Sequence, residues 1–298
     1  MSSTVIPRET GDGRAARRVS AFLYRHAGAR LAALVTAPAL WLVVVYLGSL
    51  ALLLVTSVWT VNSFTGNVVP VVTLDNFATI FSEGIYRVII GRTVGIAAAV
   101  TVIDILLAVP MALYMARVAK PWARRLLVVA ILTPLWSNYL VKAYAWKVML
   151  SEGGLIDWLT GGSSPGFSAT STTLVLSYLW LPYMILPIYA GLDRLPDSLL
   201  EASSDLGARS WRTLRMVVLP IIKPAIIAGS IFTFSLALGD YIAVQIVGGG
   251  TQMIGNVVYA NVGAANNLPF AAALAVVPIV IMVVFLLAVR RTGALDEM

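Results

Sequence analysis

The chain contains no cysteine, which excludes disulfide staples and thiolate metal sites. It has one histidine, His26, set in a basic stretch, and this reads as a solvated side chain. Charge is scarce as well. Only 12% of the 298 residues are Asp, Glu, Lys or Arg, whereas a soluble domain carries roughly 25%. No glycine-rich loop ending in Lys-Ser or Lys-Thr is present to cradle a nucleotide. HExxH and GxSxG patterns are missing, and no His, Asp and Glu cluster has metal-ligand spacing. The triplet Gly248-Gly249-Gly250 reads as a flexible turn. Alternating ten-residue β-patterns are absent too, which excludes a transmembrane barrel. Enzymatic work by this chain alone is therefore not expected. Any energy it uses must come from a partner or a gradient.

What is present is apolar sequence. Hydrophobic residues make up 59% of the chain and the mean hydropathy is +0.88, so the protein reads as an integral membrane protein. Six stretches are long enough to cross a bilayer, at about 31–60, 88–116, 125–149, 172–192, 222–247 and 268–289. The predicted architecture is one all-α domain of six transmembrane helices over 31–292. It is flanked by a basic tail, 1–30, and a short tail, 293–298. The tail has no short apolar core with a small-residue cleavage site, so no removable signal peptide is expected.

Lys and Arg predict the orientation. All but four of the 21 fall on one side of the six spans. They are Arg8, Arg14, Arg17, Arg18, Arg25 and Arg30; Arg117, Lys120, Arg124 and Arg125; Arg194, Arg209, Arg212, Arg215 and Lys223; and Arg290 and Arg291. The remaining four are Arg87, Arg92, Lys142 and Lys147, at or inside the opposite span ends. The positive-inside rule then places both termini and the 193–223 connector in the cytoplasm. The outer connectors, 61–87, 150–171 and 248–267, are weakly charged, with a short helix expected from Asp75. They leave little room for a soluble catalytic domain, though they can form a platform for a soluble partner.

One connector is patterned throughout. Residues 201–220 run Glu201-Ala202-Ser203, three residues, Gly207, nine residues, Val217, one residue, then Leu219-Pro220. Glu201 to Leu206 carries helix formers after a Pro196-Asp197-Ser198 start signal. Gly207 permits a positive φ, and a second helical stretch is expected from Ser210. Pro220 is expected to bend the chain into the next span. Arg209, Arg212 and Arg215, spaced by three, are expected on one face. A bland reading is a basic amphipathic connector lying on anionic lipid. The full spacing resembles the cytoplasmic EAA loop of permease subunits from binding-protein-dependent ABC importers, with Ser203 for the second Ala and Val217 for Ile.

Two carboxylates, Asp104 and Asp240, lie inside the spans, where each costs roughly 2.5 to 3.5 kcal/mol at a helix centre. Each is expected to face protein or water. They are candidates for a transport path, or else for an ion pair with Arg92 or Lys142 or a bond to a neighbouring helix. Aromatic residues gather at similar depth: Trp136, Tyr139, Tyr144 and Trp146, then Trp180 and Tyr183, and Tyr241 beside Asp240. Most suit the interfacial belt, while some facing inward can hold an ammonium group by cation–π attraction.

The segments 131–155, 180–207 and 235–256 are similar to the spermidine/putrescine permease group of these importers, most specifically Leu238-Gly239-Asp240-Tyr241 and Met253-Ile254-Gly255-Asn256. The resemblance implies a type I ABC importer permease fold in the cytoplasmic (inner) membrane, and polyamine uptake. It implies that Glu201, Ala202, Ser203, Asp205, Gly207, Arg209, Leu219 and Pro220 couple the chain to an ATPase. The path would use Asp240, Tyr241, Asp104, Trp136 and Tyr144. It further implies a second permease chain, two ATP-binding subunits that carry ATP and Mg, and an extracytoplasmic substrate-binding protein. This chain itself would bind no cofactor, metal or nucleic acid. The alternatives are a permease for another small solute of the same importer class, a stand-alone gradient-driven transporter, or a membrane scaffold. The gradient-driven reading predicts matched internal repeats, which the sequence does not display.

Overall fold

In lipid, backbone polar groups must be satisfied within the segment, so long apolar runs become helices. The computed structural model describes residues 24, 27–62 and 65–291. Arg8, Arg14, Arg17, Arg18, Arg25 and His26, and the predicted tail 293–298, lie outside the described residues. The described residues fall into two units, one up to Val55 and one from Thr56 onward. The first is a helical rod formed by α1 (Ala27–Trp41), a wide π-type turn (Leu42–Leu47) and α2 (Gly48–Thr56). Its apolar side chains are largely exposed.

The second unit opens with a short hairpin, β1 (Thr60–Val61) against β2 (Val68–Val69), with Thr60 opposite Val69. The expected helix from Asp75 is α3 (Asp75–Ser82). The next span is α4 (Gly84–Leu113), prolonged by a second π-type turn (Tyr114–Val118). Then come α5 (Pro121–Trp136), α6 (Tyr139–Leu150), the short α7 (Leu155–Leu159) and α8 (Ala169–Asp193). The elbow region holds α9 (Asp197–Asp205), α10 (Ser210–Thr213) and a third π-type turn (Leu214–Val218), which leads into α11 (Leu219–Leu238). The chain ends with α12 (Ile242–Val247), α13 (Ile254–Gly263) and α14 (Leu268–Arg290).

Among the described residues, five helices are long and apolar enough to cross a membrane, and a bent pair makes six. That pair corrects the third predicted span. Residues 125–149 are not one helix, because α5 and α6 meet at 99°. Asn138 accepts the N–H of Leu140 and starts a new helix, while Lys142 Nζ donates back to the Pro134 carbonyl (2.9 Å) at the end of the old one. The fifth span is also redrawn. It runs from Ser210 to Leu238, passing Pro220 without a break. In the turn before it, the Leu219 N–H reaches back five residues to Leu214, a wider winding that accommodates a proline with no N–H to give. The span stops at Gly239 instead of reaching 247, and α12 is a separate helix.

Helices α4, α8 and α11 pack on one another as the central bundle. Small residues allow the close approach. A Cβ on Gly229 would lie 2.6 Å from Met184 Sδ and 3.1 Å from Met184 Cα, so the backbones of α11 and α8 nearly touch. Two apolar clusters run along the bundle, and the second includes Met184 of the crossing. One gathers Val100, Leu176, Leu179, Phe234 and Val244; the other gathers Ala112, Met115, Ile188, Leu192 and Ile222 near the elbow. A third cluster joins α3, α4, α13 and α14 through Ile80, Ile89, Ile254 and Leu274. The uncharged 248–267 connector is thus not merely a loop, since α13 packs along α14. Gly248 and Gly249 are also not slack. Added Cβ atoms there would run into the Val244 and Phe167 carbonyls, and Gly249 has φ +58.

Candidate functional site

Two helix breaks meet inside the bundle. One is Ser137-Asn138, between α5 and α6; the other is Gly239-Asp240, between α11 and α12. Asp240 stands just before α12, whose first N–H groups need acceptors. Its Oδ1 accepts from Ala243 N–H (2.9 Å), and its Oδ2 accepts the hydroxyl of Tyr139, the first residue of α6. One carboxylate therefore ties both breaks together. It is 8% exposed, and among the described residues no Lys or Arg side chain pairs with it.

Around it lies a cavity of about 310 Å³ lined by Tyr139, Trp180, Ser235, Gly239, Asp240 and Tyr241. Tyr139 stacks on Trp180 at 6.0 Å, and Trp180 meets Tyr183 at 5.9 Å. Tyr241 stacks on Tyr259 at 5.1 Å. Electron-rich ring faces beside a carboxylate suit a cation. The two motif segments that carry the resemblance are brought together here. A Cβ on Gly255 would lie 3.0 Å from the Asp240 carbonyl, and Asn256 Nδ2 donates to the Tyr241 carbonyl (2.9 Å).

The other candidates lie elsewhere. Asp104 is fully buried between α4 and its neighbours, away from this cavity. Among the described residues its oxygens make no close hydrogen bond; the Ser177 hydroxyl of α8 faces it as a looser donor. The ion-pair alternative does not hold for either carboxylate, because Lys142 turns to Pro134 and Arg92 Nη1 to the Gln252 carbonyl (3.5 Å). Trp136, 90% exposed, and Tyr144, 54% exposed, are not brought to Asp240. The rings that line the cavity beside Asp240 include those of Tyr139 and Trp180. The Ser-Asn and Gly-Asp pairs inside apolar runs were the available signal for both breaks.

The elbow is built as a strut. Helix α9 ends in a Schellman arrangement, with Gly207 N–H on Ser204 O (2.8 Å), Ala208 N–H on Ser203 O (3.1 Å) and Gly207 at φ +73. The Ser203 hydroxyl meets that of Thr213 at 2.9 Å, so the serine at the second alanine position of the pattern ties α9 to α10. Glu201, Ala202, Asp205 and Arg209 are exposed, Leu219 is half-buried and Pro220 is exposed. Arg209, Arg212 and Arg215 do not share one regular face. Arg209 is extended before α10 (ψ 153) and Arg215 lies in the wide turn. Leu206, Trp211 and Met216 stand 88%, 68% and 64% exposed, an apolar surface at the polar end of the molecule.

The family model described as "Binding-protein-dependent transport system inner membrane component" matches residues 108–292, which hold the elbow and the Asp240 cavity. The chain belongs to this family. It is a permease subunit of an ABC importer, a multi-pass inner-membrane protein. The permease is 42% identical to the inner membrane ABC transporter permease protein YdcU of Escherichia coli strain K12, over 94% of this chain and 95% of that one. It is 30% identical to the spermidine/putrescine transport system permease protein PotB of the same strain, over 76% of this chain and 84% of that one. Among solved structures, it resembles a bacterial ABC transporter involved in import of the acidic polysaccharide alginate. The TM-score is 0.73 at 15% identity, covering 92% of this chain and 98% of the other. The MetNI methionine ABC transporter follows at TM-score 0.55 and 15% identity, covering 67% and 91%. At that identity the likeness speaks for the fold, and the expected importer-permease architecture is met.

Proposed function

We propose that this permease forms one half of the path by which an ABC importer takes up polyamines such as spermidine or putrescine. The observation that carries the reading is the Asp240 carboxylate, unpaired with any cation among the described residues and set beside Tyr139, Trp180 and Tyr241 in a cavity. An ammonium group gains both the carboxylate and the ring faces there. The PotB relatives, named for spermidine and putrescine, support the same substrate class.

The elbow is the docking point for an ATP-hydrolysing partner. Its exposed Leu206, Trp211 and Met216, beside Glu201 and Ala202, offer a protein partner an apolar seat. In this reading the elbow side and both termini are cytoplasmic, as the distribution of Lys and Arg supports. ATP and Mg stay on the partner. The full assembly holds a second, related permease chain, two ATPases and an extracytoplasmic binding protein. A neighbour solved as an alginate transporter with its substrate-bound periplasmic protein supports that last partner in kind.

The test is uptake into proteoliposomes that hold the permease with its cognate partners, offered labelled spermidine, putrescine or a non-amine solute. Uptake of either amine that requires ATP and the binding protein is the expected result. Uptake of the non-amine solute alone would leave an importer with another cargo. Gradient-driven uptake by this chain without ATP would defeat the ATPase-docking reading.

A further inference from the structure

Arg117 and Arg124 are more than positive charges: they are built into the helix ends beside the elbow. Arg117 leaves the π-type turn at the end of α4. Its Nη2 donates to the carbonyls of Leu192 and Leu195, each at 2.6 Å, and its Nη1 to Asp197 Oδ1 at 2.5 Å. One guanidinium thus closes the carbonyl end of α8 and holds the first residue of α9. Arg124, from α5, donates to Met115 O (3.0 Å) and Ala116 O (2.7 Å) and pairs with Asp193 Oδ1 (3.4 Å). The opposite end of α9 is fixed to α10 by Ser203 and Thr213, and α10 continues into α11.

We propose that Arg117 is a positioning residue that makes the elbow drive two spans at once. A push on α9 reaches α11 through the Ser203–Thr213 contact and the unbroken Ser210–Leu238 helix. It reaches α4 through Arg117, which grips Asp197 with one nitrogen and the α8 end with another. The Asp197–Arg117 pair alone is weak, because Asp197 is 78% exposed. The carbonyl bonds give it direction. They hold the guanidinium plane facing the start of α9. Without Arg117 the elbow still docks and still moves α11, but its direct grip on the end of α4 is lost. Helix α4 then follows only through its packing on α8 and α11 and through Arg124, and the path opens incompletely.

This inference rests on the reading that the elbow docks on the ATPase, so the experiment separates the two. The complete importer is reconstituted, and uptake per ATP hydrolysed is measured together with the amount of ATPase that copurifies. Arg117→Ala is expected to lower uptake per ATP by at least about five-fold with ATPase retained. Arg117→Lys, which has no planar fork, is expected to fall between that variant and wild type. Because the chain has no cysteine, the pair Arg117→Cys and Asp197→Cys can be bridged by a short bis-maleimide. Bridging is expected to restore the ratio. A wild-type ratio in Arg117→Lys and Arg117→Ala, or a bridged pair that stays uncoupled, overturns the proposal. Loss of the elbow reading itself has a different signature: Glu201→Ala and Gly207→Val would then leave both ratio and copurification unchanged.

Discussion

A carboxylate at a helix break is offered N–H donors that an unbroken helix denies it. Asp240 has that setting, with Ala243 N–H and the Tyr139 hydroxyl on its two oxygens, and it borders a cavity. Asp104 has only the Ser177 hydroxyl facing it among the described residues and does not line that cavity. The two therefore predict opposite outcomes for the same substitution. Asp240→Asn keeps the shape and removes the charge that an ammonium group needs. A charge-assisted hydrogen bond contributes about 1.5–3 kcal/mol, so amine uptake at limiting substrate should fall about ten- to a hundred-fold. Asp104→Asn removes an ionisable group buried without a close donor or an ion-pair partner among the described residues. Uptake in that variant should stay close to wild type, and the detergent-solubilised protein should melt at the same temperature or higher.

Helix ends carry much of the function-bearing geometry. Gly207 sits at φ +73 with nothing within 4 Å of an added Cβ, so its constraint is conformational and not steric. A β-branched residue in that region costs about 1–2 kcal/mol, whereas Asn visits it routinely. Gly207→Val should therefore lower uptake per ATP, and Gly207→Asn should restore most of it; a normal ratio in the valine variant would argue against the elbow as a strut. At the paired breaks, Tyr139→Phe removes the hydroxyl that joins α6 to Asp240 while keeping the ring against Trp180. The expected result is weaker amine selectivity against a non-amine control in competition uptake, with assembly intact. Both break positions, Ser137-Asn138 and Gly239-Asp240, are visible as polar or glycine interruptions, yet hydropathy averaged over a span conceals them.

At the scale of the whole molecule, the central bundle is closest-packed at the α8–α11 crossing, where a Cβ on Gly229 would lie 2.6 Å from Met184 Sδ. Gly229→Leu should separate the helices, and the measured outcome is loss of monodisperse protein, not selective loss of transport. Composition, the positions of most apolar runs and the Glu201–Pro220 spacing were legible in the sequence, because membrane insertion depends on segment hydropathy and the elbow pattern is local. Those features determined the class of protein, its permease architecture and the place of its elbow. The bend of the third span and the early end of the fifth were signalled locally by Ser137-Asn138 and Gly239-Asp240, but the meeting of Tyr139 with Asp240 and the Arg117 staple were decided by tertiary structure alone. The reason is physical: Tyr139 lies 101 residues from Asp240, and Arg117 lies 80 from Asp197. The packing of α6 on α12 brings Tyr139 to Asp240, and that of α4 on α8 brings Arg117 to the start of α9. The same interior holds Asp104 with only the Ser177 hydroxyl facing it among the described residues.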